Sequence, residues 1–544
     1  MARIDERWDP VQDYGQQLYH LEELPATWKG RLRACCSPRR AAACGCTALL
    51  ALLLITFSFH SVTRTTHKVH EEQQPFAINV EQTSSVTAIP ASRGHNASSD
   101  AWRPLILTRC LPGDHNRSAP CLVGHVPGLV YGEELLYPDF RIRLPSFYDH
   151  EHRATWMRCL QYNRKWRRGK IVMGTDQLEG WIYYLGQRGQ NLVYEHVSYV
   201  GTPVIGVWRD DACMSWRSHE HVTAFPHTPR SDDRPPSEVD AIFVGSPDNN
   251  SFQHFLDRVA LMLAQTAHLA QGRGEPDWKY VASRAERGGS PVRELWSLLV
   301  PGFGADTHLL QPGTWGAKEL YEEFMGDQPL GYERPKPGAD FRYFVYPCQT
   351  PLIHPYLHQL PSEIMIRAAG VDPAAVKPPR ERKVVAFFVR EGSRRWHNEA
   401  QCVAAVRSLL RRRRRGEVLE AFRAENVTSI AAVIRHMARY KLVVGAHGGA
   451  MANIAFLQPG TAVVEICPVR RYTNRAGVMY YEAAAVRNLP YWAVMATNTT
   501  ADFEILHQPC TPVKWAVRDA LERQDAGLAP VLEPFSQGVT FNRR

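Results

Sequence analysis

Residues 384–389, VVAFFV, form a run of β-branched and aromatic side chains with no polar position. That is the pattern of a strand buried on both faces of a parallel sheet. A helix is expected from about Asn398 to Arg412, and Thr428 or Ser429 then caps a second helix whose Ile430, Val433, Ile434 and Met437 share one face. Another apolar strand, KLVVGA at 441–446, runs into the loop HGGAMAN. A short helix, the turn Gln458-Pro459-Gly460 and a third strand, TAVVEI at 461–466, complete the pattern. Strand and helix alternate, which predicts a doubly wound α/β domain. Upstream, AIFVG at 241–245 predicts a strand, and Phe255, Val259, Met262 and Leu263 recur at helical spacing within 252–270. The Pro-rich connection Lys377-Pro378-Pro379-Arg380 separates a domain at 102–376 from one at 377–544.

Near the N-terminus, residues 41–59 (AAACGCTALLALLLITFSF) run for nineteen positions without a charge. A spanning helix needs roughly 17–25 such residues. Lys29, Arg31, Arg33, Arg39 and Arg40 precede this run, against Arg64 and Lys68 after it. The positive-inside bias predicts a cytosolic tail at 1–40, a signal-anchor at 41–59, a polar stem at 60–101 and a luminal remainder. So short a span, rich in Ala and Thr, suits the thin membranes of the Golgi or endoplasmic reticulum. Eight of the twelve cysteines follow it, enough for up to four disulfides in an oxidising lumen. None of the eight has close metal-ligand spacing. Sequons at Asn96, Asn116, Asn249, Asn426 and Asn498 fall on the same side.

Composition excludes a disordered chain, at 44% hydrophobic and 22% charged residues, and a length of 544 suits two or three domains. The net charge of +9 is mild over this length and demands no nucleic-acid partner. The run Arg411–Arg415 reads as a solvated helix end.

The strongest chemical signal is the loop after the second strand. Gly445, Gly448 and Gly449 sit where a buried parallel strand turns into a helix. Ligands of open α/β sheets bind there, outside the carboxyl ends of strands. Glycines let a diphosphate approach the backbone, and the helix start offers unpaired N–H groups. His447 is placed to donate to a phosphate, to assist a leaving group or to cap the loop. Glu465 ends the next strand, within expected reach of ribose hydroxyls.

The whole block resembles the signature of glycosyltransferase family 61, which reads like G-x-H-G-A-G-L-T-N, then F-L-P-P-G and a strand ending in V-E. The matching positions are Gly445, His447, Gly448, Asn453, Phe456, Leu457, Pro459, Gly460, Val464 and Glu465. Gly449-Ala450 and Met451-Ala452 depart from it. Arg390, then Arg394 or Arg395, then Asn398-Glu399, is similar to the family's strand-ending arginine, second basic residue and helix start. An arginine fork suits a diphosphate. Upstream, Asn250 to Asp257 (NSFQHFLD) resembles a third family motif, with His254 and Asp257 as its polar members.

The resemblance implies a GT-B-like α/β fold: two Rossmann-like doubly wound domains facing a cleft, preceded here by a single transmembrane helix and stem. It implies an inverting transferase of the secretory pathway that binds a UDP-sugar through its C-terminal domain and a glycan or glycoprotein acceptor opposite. UDP-xylose, with β-1,2-xylosylation of N-glycans, stands ahead of UDP-N-acetylglucosamine and protein O-linked transfer on family membership alone. Donor contacts are then expected from Arg390, Arg394, Arg395, Asn398, Gly445, His447, Gly448, Gly449, Asn453 and Glu465. Inversion needs a base for the acceptor hydroxyl, and His254, Asp257 and His447 are its candidates. The chain holds no Asp-x-Asp triplet, which counts against a metal-bound diphosphate of the GT-A kind and leaves divalent-metal use open. Two rivals stand beside this reading. Arg390-Glu391-Gly392-Ser393 after a strand suggests a Golgi sulfotransferase, which leaves the block at 443–466 unexplained. The two departures fit a membrane-tethered glycan-binding relative without turnover.

Overall fold

The computed structural model describes residues 98–109, 129–166, 175–176, 180–199, 227–229, 240–244, 252–272, 279–281, 289–300, 309–310, 340–348, 350–389, 395–469, 476–500, 504–527 and 529–535. The apolar runs of the last third become the strands of one six-stranded sheet. In chain order these are β1 (Ser146–Phe147), β2 (Val384–Phe388), β3 (Val418–Phe422), β4 (Tyr440–Ala446), β5 (Ala462–Pro468) and β6 (Tyr491–Ala496). All pairings are parallel and the spatial order is β3-β2-β4-β5-β6-β1. β4, β5 and β6 are buried at every position, as a parallel sheet covered on both faces requires.

Side chains alternate between the two faces. Val385, Phe387, Leu442, Val444, Val464, Ile466, Trp492 and Val494 lie in one core with helices α2 (Glu399–Arg413) and α5 (Cys510–Ala526). Their neighbours Phe388, Val443, Val463, Cys467, Tyr491 and Met495 face the other core. That layer is shared with α3 (Ile430–Met437), α4 (Ala476–Ala485) and the first half of the chain. Ser429 caps α3, its side chain accepting from the Ala432 N–H at 3.1 Å.

The first half meets the expectation of a second doubly wound domain only in part. Its eight-stranded sheet is mixed. Asp240–Phe243 pairs in parallel with Lys279–Val281 and with Asp340–Cys348. Leu105–Arg109, Leu129–Leu136, Arg188–Tyr199 and Asp340–Cys348 pair antiparallel. Asp240–Phe243, Lys279–Val281 and Leu309–Leu310 pair in parallel and alternate with the helices Ala260–Gly272 and Gly289–Leu299, while the antiparallel strands that extend the sheet need no crossover helix. The chain also crosses the 376/377 point in both directions. β1 is the edge of the C-terminal sheet, while Leu532–Pro534 joins Phe140–Arg143 in a small antiparallel sheet. Ser98–Trp102, at the end of the expected stem, is a 3-10 turn whose Ser99 hydroxyl donates to Glu363 at 2.9 Å.

The membrane helix of the expected fold class is corrected. Among the described residues no helix is long and apolar enough to cross a membrane. The run at 41–59 on which that expectation stood lies outside the described residues.

Two buried features carry testable weight. Arg382 donates from Nη1 to the Tyr440 carbonyl at 2.7 Å and to Thr461 Oγ1 at 2.6 Å, from Nε to the Lys377 carbonyl and from Nη2 to the Pro459 carbonyl. One guanidinium therefore ties the starts of β4 and β5 to the chain entering β2. Burial lowers its pKa to about 10, so it is still charged at neutral pH. Arg382→Met strands these acceptors, and a loss of about 3 kcal/mol is expected, read as a lower urea midpoint at unchanged slope. An unchanged midpoint would refute the tie.

His354 and His358 flank the start of α1 (Pro355–Ala368). Nδ1 of His354 accepts from the Tyr356 N–H at 3.1 Å while Nε2 donates to the Pro138 carbonyl, so the ring must be neutral to cap the helix. Nε2 of His358 donates to the Leu352 carbonyl at 2.9 Å. Burial pushes their pKa values down to about 3 and about 4. The unfolded chain then binds more protons than the native one below pH 6.5, so stability falls as the solution is acidified towards these values. About 2 kcal/mol per histidine is expected to disappear between pH 7.5 and 5. His358→Gln should roughly halve the slope of melting temperature against pH, and an unaltered slope would exclude this origin.

Candidate functional site

The carboxyl ends of β4 and β5 build the site. β4 delivers His447 directly, and the His447 N–H extends the sheet by donating to the Ile466 carbonyl at 3.1 Å. Gly448 follows with φ +147°, a conformation that favours glycine, and a 3-10 helix runs over Gly449–Phe456. At Gly445 a Cβ would sit 2.6 Å from Met451 Sδ and 3.2 Å from Phe388 Cβ, so any larger residue makes the Met451 side chain move off the strand. The Asn453 amide is turned inward and donates to the Ala450 carbonyl at 2.9 Å, holding the helix rather than facing outward.

Glu465 occupies the β5 position beside Gly445, on the face shared with the first half of the chain. It is fully buried. The Nδ1 of His447 lies 2.6 Å from Oε1, and the Tyr491 hydroxyl donates to Oε2. The imidazole itself is one-tenth exposed. The ring of Tyr480, from α4, lies 5.0 Å from the His447 ring at a 55° tilt. The Tyr480 hydroxyl sits between the Gly448 carbonyl at 2.8 Å and the Gln253 side-chain amide at 3.0 Å. A tyrosine thus joins the glycine loop to the first half of the chain.

Gln253 belongs to the segment that the periodicity reads as one helix. Phe252–His254 is α-helical, Phe255–Val259 is a π turn, and Ala260–Gly272 is α-helical again. π turns inside helices are frequent at functional sites. Here Phe255, Leu256 and Val259 stay in the core, while Asp257 is partly exposed and meets His254, with Oδ1 3.4 Å from Nδ1. Arg258 Nε is 3.7 Å from the same oxygen. Burial pushes the Asp257 carboxyl up, but the interaction with His254, by charge and by hydrogen bond, and the charge of Arg258 outweigh it and hold the pKa below the usual range. The pair is placed to bind and orient a hydroxyl group.

The remaining predicted residues divide. Arg390 and Arg394 lie outside the described residues. Arg395 is exposed, and its carbonyl accepts from the Ile505 N–H at 2.9 Å. Asn398 is absorbed by the scaffold: Oδ1 accepts from Trp396 and from the Gln508 N–H, and Nδ2 donates to the Gln508 carbonyl at 2.8 Å. The structure therefore gathers His447, Gly448, Gly449 and Glu465, and brings His254 and Asp257 to them through Gln253 and Tyr480. Gln253, Tyr480 and Tyr491 carried no signal in the periodicity, because each reads as one more polar or aromatic position in an apolar element. Among the described residues no group of three or more His, Cys, Asp or Glu is arranged to hold a metal ion.

Residues 252–464 match the family model described as Glycosyltransferase 61. Over that segment the chain is similar to glycosyltransferase family 61. The matched span begins at the π-turned helix and ends one residue before Glu465, so it takes in His254, Asp257 and the glycine loop with His447, while Glu465, Tyr480 and Tyr491 follow it. A stretch of 112 residues is 33% identical to the xylan glycosyltransferase MUCI21 of Arabidopsis thaliana, covering 20% of this chain. The match spans about a fifth, 21%, of that relative's length.

Proposed function

We propose that the protein transfers a sugar, with inversion, from a UDP-sugar to a hydroxyl group of a glycan or glycoprotein acceptor. One observation carries the reading. His447, Gly448 and the helix start after them lie at the carboxyl ends of two parallel strands and are tied, through Tyr480 and Gln253, to the helix bearing His254 and Asp257. Open α/β sheets bind nucleotides at such strand ends.

In this reading the donor's diphosphate lies against the glycine loop beside His447, with Arg390 and Arg394 as further anion contacts. The acceptor enters from the side of the π turn. His254, oriented by Asp257, removes the hydroxyl proton as the acceptor oxygen bonds to the anomeric carbon from the face opposite UDP. The bond from that carbon to the β-phosphate oxygen breaks, and UDP leaves with the electron pair. His447 and the backbone N–H groups of the loop meet the charge that develops there. The relative's name, a xylan glycosyltransferase, supports a glycan acceptor and puts UDP-xylose first in the assay order, with UDP-N-acetylglucosamine next. The disulfide Cys402–Cys510 supports an oxidising compartment, the lumen of the Golgi or endoplasmic reticulum.

The test is a thermal-shift series on the full chain against UDP and a panel of UDP-sugars, with and without divalent metal. A donor at a hundredfold excess over its Kd is expected to stabilise by about 2.7 kcal/mol. The gain should vanish in Arg390→Ala, and the best sugar should be turned over with inverted product stereochemistry. No shift with any nucleotide, in a folded sample, would sink the donor site and favour a glycan-binding module. A shift only with a sulfate-carrying adenosine nucleotide would favour sulfation.

A further inference from the structure

We propose that Tyr491 and Glu465 form a buried relay that holds the imidazole of His447 in one tautomer and one orientation, making both positioning residues of the site. The proposal rests on the donor-site reading for its catalytic meaning, and on geometry alone for the relay.

A carboxylate in an apolar layer is costly unless both oxygens are satisfied. Glu465 is fully buried in such a layer, among Val463, Cys467, Tyr481 and Ala493 of the same core. Each of its oxygens has one partner, His447 Nδ1 on Oε1 and the Tyr491 hydroxyl on Oε2. An ionised carboxylate only accepts, so Nδ1 of His447 carries the hydrogen in that bond. Nε2 is then the ring nitrogen left for a ligand. Enclosure on this scale removes Glu465 from contact with ribose and gives it a different task, behind the histidine.

Strand pairing explains how the relay is assembled. Tyr491 stands opposite Val463, two residues before Glu465 on the same face. Such diagonal neighbours are within reach of an aromatic side chain. The Tyr480 ring packs against the imidazole and limits its rotation. The ring therefore waits already aimed, and when charged it presents Nε2–H to a leaving phosphate oxygen with Glu465 as counter-charge. Stabilisation by a preset donor needs no reorganisation during the reaction.

The experiment uses the full chain labelled with ¹⁵N-histidine. The His447 resonance is identified by its loss in His447→Gln. A slowly exchanging, downfield Nδ1 proton is expected in the native protein, lost in Glu465→Gln and displaced but retained in Tyr491→Phe. The tyrosine variant keeps the ring and its packing, so it reports on the relay even where Glu465→Gln folds poorly. Kinetically, Glu465→Gln should lower kcat by about 100-fold or more, in line with a histidine held in the wrong tautomer, with donor KM within about threefold. Tyr491→Phe should lower kcat by about 3–10-fold, the scale of one removed hydrogen bond. No such proton in the native protein, or one unaltered in Glu465→Gln, overturns the relay. Native kcat in both variants overturns the positioning role. A proton behaving as expected in a protein that binds and turns over no sugar nucleotide retains the relay and sinks the donor-site reading instead.

Discussion

Replacing His254 with alanine is expected to lower kcat by about 10²–10⁴-fold while the thermal shift produced by UDP keeps its native size. The expectation follows from where the residue stands. His254 lies on the first half of the chain, at the entry to the π turn, and its imidazole faces the Asp257 carboxylate at 3.4 Å. That separation is long for a hydrogen bond, and catalytic hydrogen bonds commonly tighten only when substrate is bound. Asp257 remains ionised because neighbouring positive charge outweighs its burial. Asp257→Asn should therefore lower kcat as well, by a smaller factor, through loss of the orienting charge. His447→Ala is expected to behave differently, weakening UDP binding and kcat together, because it stands on the glycine loop. Native turnover in His254→Ala would remove it as the base, and loss of the UDP shift would move it to the donor side.

The second large effect concerns the disulfide between Cys402 and Cys510. It closes a loop with a sequence separation of 108 and joins the starts of α2 and α5, the two helices that cover the outer face of the parallel sheet. Loop-closure entropy for about 100 residues corresponds to roughly 4.7 kcal/mol. The Cys402→Ser/Cys510→Ser double variant is expected to lose most of that amount. Asn398 remains as a second tie to Gln508 and limits the damage. Urea denaturation with and without reductant provides the check: reductant should bring the native chain down to the variant and leave the variant itself unmoved. If reductant leaves the native chain's midpoint in place, the bond contributes nothing to stability.

Much of the C-terminal half was legible because its signals are local. A run such as VVAFFV has no polar position and is β-branched and aromatic, so it favours a strand covered on both faces, and Ser429 followed by an apolar helical stripe announces a capped helix. Gly448 was legible for a related reason: a φ of +147° disfavours other side chains, and Gly445 beside it packs closely on Met451. The antiparallel part of the first sheet was not legible, because pairing partners are chosen across the chain. Arg188–Tyr199 meets Asp340–Cys348 with no local mark of the match. The π turn was hidden too, since Phe255, Val259, Met262 and Leu263 keep to helical spacing on either side of it.

The candidate site divides along the same line. From residue types and order alone came the glycine loop, His447, the acidic end of the next strand and the His254–Asp257 pair. The roles of these groups required coordinates. Glu465, expected to reach outward, is enclosed behind His447 and shared with Tyr491, 26 residues further on. Asn398, expected at the donor, spends its amide on Gln508. The order of the strands, the face on which each side chain emerges and the partner that satisfies each buried polar group are properties of packing. A sequence states which groups are present and which local conformations they prefer. Which distant groups satisfy one another is settled only when the apolar faces close and water leaves, because only then must every enclosed charge and hydrogen-bonding atom have its partner.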